Sequence, residues 1–254
     1  MFQIVGALGV AWAVLWLLSI RTSDLSPASS ASLPVGKSLP TSQPVSFLQI
    51  AMSRQFVMCL IVVVTINVCW HQFRVWMPKF LEVGRGFSKT TTLDINTWFN
   101  VMTDIGCISA GLTTAALHRG GVSVFSARYR VFTVCSLLVS VGALIPWLPA
   151  GPGLIAVLMT VGLGALGLFP CFYAFSQELS VTHQGKVTGL LGTCAWIVPS
   201  VWHWQFGRWV DQTKSYDLGM FIASLLPLVA VAALWALGPS QRPPTPVAPH
   251  SEPA

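Results

Sequence analysis

LGMFIASLLPLVAVAALWAL, residues 218–237, runs for 20 positions without a charged side chain. A helix needs roughly 20 apolar residues to cross the hydrocarbon core of a bilayer. Inside that core every backbone polar group must be satisfied within the protein, which leaves only helices and closed barrels. Barrel strands alternate polar and apolar side chains over about 10 residues, and this stretch does not alternate. It reads as a transmembrane helix. Six further stretches read the same way: Phe2–Ile20, Phe56–Trp76, Ile95–Leu117, Tyr129–Leu148, Gly153–Ser176 and Val187–Phe206. The predicted fold class is all-α integral membrane with seven transmembrane helices, one standing alone and six closely spaced. Composition points the same way. Charged residues are 9% of the chain, against about 25% in soluble domains, and lipid removes the need for a charged surface.

The same reading divides the chain into four parts. Residues 1–20 form a transmembrane helix, 21–53 a Ser- and Pro-rich flexible linker, 54–238 a six-helix bundle and 239–254 a disordered tail. The first helix has no basic segment before it, and its nearest charge is Arg21 on the carboxyl side. Basic residues favour the cytoplasm, so this helix is expected to run inward and to stay in place. Seven spans then put 21–55, 118–128, 177–186 and the tail in the cytoplasm. Counting the flanking Arg130, these segments hold eight basic residues against six in the outer loops, and three of those six lie in 77–94. Trp70, Trp76, Trp147, Trp202, Trp204 and Trp209 fall near predicted outer ends, where tryptophan commonly anchors at the interface.

Several functions are excluded. The net charge of +6 is spread one or two residues per loop, with no basic stripe of the kind nucleic-acid binding requires. All six cysteines fall inside predicted spans and none forms a C-x-x-C pair, so neither disulfides nor a metal site is expected. There is no H-E-x-x-H, G-x-S-x-G or P-loop, and no cofactor is expected. A Schiff-base pigment needs a lysine in its last helix, and Leu218–Leu237 has none.

Ionisable residues within spans are costly and point to function by default. Asp104 shares a helical face with Asn100 and Asn96, at spacings of four and eight. Two readings stand: a substrate or proton site in a water-lined cavity, and a hydrogen-bond network between helices. Asn67, His71 and Arg74 share a face of the second span. The arginine fork suits a carboxylate and histidine suits proton sharing near neutral pH; the competing reading has Arg74 reaching to the interface. Phe169, Phe172, Tyr173, Gln177 and Glu178 follow the break at Pro170, either lining a cavity or packing helices. Glu178 and Lys186 belong to a cytoplasmic loop and are expected to fix its conformation. Gly162, Gly164 and Gly167, and the pair Gly185 and Gly189, would let helices approach closely. Pro170 and Pro199 are expected to kink their helices.

The six closely spaced spans, over about residues 50–238, resemble the carboxyl-terminal half of a major facilitator superfamily transporter. Trp76-Met-Pro78-Lys-Phe-Leu81 resembles the W-L-P-x-[YF]-L that ends the seventh helix in the anion:cation symporter (hexuronate/sialin-like) family. GALGLFPCFYAFSQELSVTHQGKVTGLLGTCAW, residues 164–196, resembles helix ten, its cytoplasmic loop and helix eleven of bacterial members. Gly185 and Gly189 sit at that family's paired glycines. GLTTAALHRGG, residues 111–121, takes the place of the loop motif between helices eight and nine, without its usual acidic residue. Phe2–Ile20 then corresponds to helix six and residues 21–53 to the long central loop.

The resemblance implies alternating access between two bundles with substrate near the midplane, in a bacterial inner membrane. It implies a small organic anion such as a sugar acid, moved together with H⁺. His71 and Arg74 would contact the anion, Asn100 and Asp104 would line the cavity, and Phe172, Tyr173 and Trp196 would shape it. Helices one to five have no counterpart, so the chain is expected to be amino-truncated, or to be a half-module that pairs with a separately encoded amino-terminal half.

Overall fold

The computed structural model describes residues 2–19, 46–180 and 183–238, and these contain helices and turns with no strand among them. Two units result, Met1–Pro44 and Val45–Ala254. The first holds helix α1 (Phe2–Ser19), whose last hydroxyl, on Ser19, bonds back to the Leu15 carbonyl at 2.7 Å. The linker expected over 21–53 falls outside the described residues from 21 to 45, as does the tail expected over 239–254. At its far end the expectation of a flexible linker meets a difference. Phe47–Ala51 forms a short helix, α2, because Gln49 Oε1 accepts from the Ser46 N–H at 3.1 Å and Ile50 is buried.

In the second unit the helix starts follow from serine caps. Ser53, Ser88 and Ser123 accept from the amides of Phe56, Thr91 and Ser126, opening α3 (Arg54–Lys79), α4 (Lys89–Arg119) and α5 (Val124–Ser140). A side-chain oxygen there satisfies one of the amides that a helix start leaves unpaired. Between α4 and α5 the chain turns at Gly121, whose φ of +88 is open to glycine and strained for other residues.

Prolines set the irregularities. Pro78 removes the N–H that would bond the Arg74 carbonyl, and α3 continues as a wider π turn over Phe80–Gly84. Pro146 lies in a 3₁₀ segment, Val141–Trp147, that extends α5. Pro170 removes the partner of the Leu166 carbonyl. That carbonyl accepts instead from Phe169 at 3.2 Å, and the helix is interrupted between α6 (Pro152–Ala165) and α7 (Leu168–Gln177). At the other proline, α8 (Gln184–Thr213) continues through Pro199 as one helix. Last comes α9 (Asp217–Leu237).

Helix α3 packs mainly against α9 and α8, while α6 packs against α4 and α5. Backbones come close where glycine permits: a Cβ on Gly106 of α4 would overlap the Leu163 carbonyl of α6, and one on Gly164 would collide with the Cys135 carbonyl of α5. Phe73, Phe80, Phe99, Phe132, Leu154 and Leu158 fill the interior. Ile108, Leu112, Val134, Leu137, Val229 and Trp235 are exposed, an apolar exterior that lipid tolerates and water does not.

Ion pairs tie the two ends of the bundle. At one end Arg128 pairs with Glu178 and Arg54 bonds the Ala236 carbonyl. At the other Arg85 pairs with Asp217 at 2.7 Å and donates to the Ile145 carbonyl at 3.1 Å. The turn at 120–123 and the end of α7 at 178 thus lie at one end, opposite the turns at 85–88, 148–151 and 214–216. Through Arg128, Glu178 ties the end of α7 to α5.

Among the described residues, four helical stretches suffice by length and composition to cross a membrane: Arg54–Gly84, Val124–Trp147, Pro152–Gln177 and Asp217–Leu237. Helices α4 and α8 are 31 and 30 residues long. At 1.5 Å per residue each reaches about 45 Å, so composition rather than length sets them apart. Asn96, Asn100 and Asp104 lie within α4, and His203, Gln205 and Arg208 within α8.

Candidate functional site

Asn67, His71 and Arg74 are spaced to share one face of α3, and that face opens onto a cavity of about 450 Å³. Helix α7 supplies Phe169, Phe172 and Tyr173, α8 supplies Thr188 and Trp196, and α4 supplies Cys107. From the restarted helix Phe172 and Tyr173 both reach the cavity.

His71 is buried and its ring meets that of Trp196 at 4.8 Å, tilted by 50°. Phe172 lies 5.4 Å from Tyr173, and Trp70 meets Phe169 edge-on at 6.5 Å. The wall is therefore largely aromatic, with polar groups confined to a few positions, which is the usual make-up of a small-molecule site. Asn67 turns its amide to the Val63 carbonyl at 2.7 Å, leaving its side-chain oxygen available as an acceptor. Arg74 is exposed and has no ion-pair partner among the described residues; the two ion pairs there, Arg85–Asp217 and Arg128–Glu178, involve other cations.

Of the seven residues expected at the site, His71, Arg74, Phe172, Tyr173 and Trp196 line this cavity. Asn100 and Asp104 do not. Both are exposed on α4, seven and three residues before Cys107 and on the same stripe. Asn100 donates to the Asn96 carbonyl of its own helix at 2.8 Å, and among the described residues no side-chain bond joins Asn96, Asn100 or Asp104 to another helix.

Behind His71 lies a set of polar contacts that the sequence reading passed over. Trp202 donates to Gln72 Oε1 at 2.8 Å and Trp76 donates to His203 Nδ1 at 2.9 Å, each bond joining α8 to α3. The His71 and His203 rings are 6.2 Å apart and nearly perpendicular. Trp76 and Trp202 thus bond inside the bundle, unlike Trp147 and Trp204, which stay exposed as interface anchors do. The signal available in the sequence was a histidine and a glutamine inside predicted spans, each near a tryptophan, whose indole N–H must find an acceptor when buried.

No metal-binding group of three or more His, Cys, Asp or Glu residues occurs among the described residues. The six cysteines are free, four of them buried. Compared with known families, residues 1–203 match the model of the Major Facilitator Superfamily. Among curated proteins nothing matches the chain.

Proposed function

The chain belongs to the major facilitator superfamily, a family of multi-pass membrane transporters of small molecules, and from that premise we propose that it is one bundle of a secondary transporter for small organic anions, coupled to H⁺. The anion is sugar-acid-like and the membrane is a bacterial inner membrane. One observation carries the reading: Arg74, a cation without an acidic partner among the described residues, stands with His71 on the wall of an aromatic-lined cavity, on the carboxyl-terminal half of α3.

The roles follow from chemistry. Arg74 takes the substrate carboxylate with its planar fork. His71 shares or relays the proton. Trp196, Phe172 and Tyr173 offer flat faces to the apolar face of a sugar ring. Asn100 and Asp104 extend the Cys107 stripe and complete the wall when a second bundle closes over it. The cavity volume of about 450 Å³ lies within the range of roughly 300–1,000 Å³ typical of small-molecule sites. Alternating access of two bundles around such a site is the transport cycle. The resemblance of Trp76–Leu81 to the W-L-P-x-[YF]-L of the hexuronate/sialin-like family favours a sugar acid over other anions.

The test is uptake of a labelled hexuronate by proteoliposomes containing this chain together with any membrane subunit that co-purifies. With the outside acidic, accumulation is expected; a protonophore abolishes it, and Arg74→Ala lowers the initial rate at least tenfold. Equal uptake with and without the pH gradient removes H⁺ coupling. Unchanged uptake in Arg74→Ala removes the anion role.

A second reading is favoured by the open face of α8. Nothing lies within 4 Å of a Cβ placed on Gly185 or Gly189, neither of which lines the cavity. That face suits a half-module that packs against another transmembrane subunit and does not itself transport. Native mass in mild detergent separates the readings: a stable hetero-oligomer without uptake supports the half-module.

A further inference from the structure

A groove of about 190 Å³ runs between α4 and α5, away from the cavity, with Leu163 of α6 as part of its floor. Its α4 side extends from Gly106 to Leu117 and its α5 side from Leu138 to Arg130. At Gly106 α4 packs so closely on α6 that a Cβ would overlap the Leu163 carbonyl, which closes the groove at that end. The lining is mostly apolar, broken by the hydroxyls of Ser109 and Thr113 on the α4 side, and Arg130 stands exposed near one end.

Charge at that end is one-sided. From Ile105 to Trp147 there is no Asp or Glu, while Arg119, Arg128 and Arg130 fall within the same stretch. Glu178 neutralises Arg128. Arg119 and Arg130 have no acidic partner among the described residues. Eleven residues of helix separate Gly106 from Leu117, which is about 16 Å at 1.5 Å per residue. That is half of the ~30 Å hydrocarbon core, the depth of one leaflet. A partner helix would need a seam through both leaflets. A lipid chain needs one.

We propose that this groove binds an anionic phospholipid of the leaflet on the Arg130 side, which the charge distribution makes cytoplasmic. One acyl chain lies along α4 and α5 toward Leu163, and the phosphate is held by Arg130. Basic positions at helix grooves on the cytoplasmic side recognise anionic headgroups in this way. The site is independent of the transport reading.

Native mass spectrometry of the detergent-purified chain, titrated with dioleoyl phosphatidylglycerol or dioleoyl phosphatidylcholine, tests it. Phosphatidylglycerol adducts are expected to form at lower concentration than phosphatidylcholine adducts. Arg130→Gln should weaken phosphatidylglycerol binding about fivefold, and Arg130→Lys should keep most of it. Thr113→Phe, which fills the groove from its exposed rim, should weaken both lipids. Equal binding of the two lipids, or phosphatidylglycerol binding unchanged in Arg130→Gln and Thr113→Phe, overturns the proposal. So does competition by inorganic phosphate at concentrations equal to the lipid, which would mean that only the headgroup is bound. Co-purification of a transmembrane protein that Thr113→Phe releases, in place of lipid, also overturns it.

Discussion

Trp76 of α3 donates its indole N–H to Nδ1 of His203 on α8 at 2.9 Å. One turn back along α3, Gln72 accepts from Trp202 at 2.8 Å. Two bonds, each from an indole to a polar acceptor, thus join the helices that form two walls of the cavity. An indole N–H donates and cannot accept. The bond therefore requires a lone pair on His203 Nδ1, and the ring proton of the neutral imidazole must sit on Nε2. This fixes one face of the imidazole whose other neighbour is His71, at 6.2 Å between ring centres.

A net hydrogen bond contributes about 0.5–1.5 kcal/mol. Trp76→Phe and His203→Leu should each lower the melting temperature in detergent by roughly 2–4 °C for a domain of this size. The double variant should lose less than the sum, because both single changes remove the same bond. His203→Gln, which can still offer an oxygen, should recover part of the loss. Strictly additive losses in the double variant would show that Trp76 and His203 act on stability separately.

The glycines separate two kinds of close approach that look alike in the sequence. Gly106 and Gly164 are places where a side chain would meet the backbone of another helix, the Leu163 and Cys135 carbonyls. Gly185, Gly189 and Gly192 have open space beside them. Gly106→Val is therefore expected to abolish a monodisperse, folded product on size exclusion. Gly189→Val should leave folding intact and the melting temperature close to the parent's, since an exposed change usually costs no more than about 0.5 kcal/mol. Its effect should appear in uptake or in association with a second bundle. A Gly189→Val protein that fails to fold would mean that α8 packs within this bundle through that face.

That contrast marks how far the sequence could be read. Helical, membrane-embedded architecture was legible because 20-residue apolar runs such as Leu218–Leu237 have few other uses. The stripe of Asn67, His71 and Arg74 was legible because spacing alone sets a helical face, and all three line the cavity. The interruption at Leu166 and Gly167 was half-legible: Pro170 announces a lost hydrogen bond but not whether the helix bends or stops, and Pro199 with the same signal stays within a continuous helix. Asp104 and Asn100 share a face by spacing, yet spacing does not say which neighbour that face meets, and here they stand outside the cavity lining. Gln72 and His203 went unread because their partners are about 130 residues distant along the chain.

Cysteine supplies a probe of the cavity that works whatever the substrate is. Cys59, Cys69, Cys135 and Cys171 are buried, and Cys107 and Cys194 are half-buried. Of these two, Cys107 lines the cavity and Cys194 does not. A small water-soluble methanethiosulfonate reagent reaches a thiolate only where water does, so it should modify two of the six thiols in the folded protein, and Cys107→Ala should leave one. A hexuronate at saturating concentration should slow reaction at Cys107 and leave Cys194 unaffected. Arg74→Ala should remove that protection without changing the rate measured in the absence of the anion, because the arginine acts on the anion and not on the thiol. Protection that persists in Arg74→Ala would assign the anion to another part of the wall. A Cys107 that reacts only after denaturation would mean that the space beside it is dry, and that the α4 wall is closed to substrate.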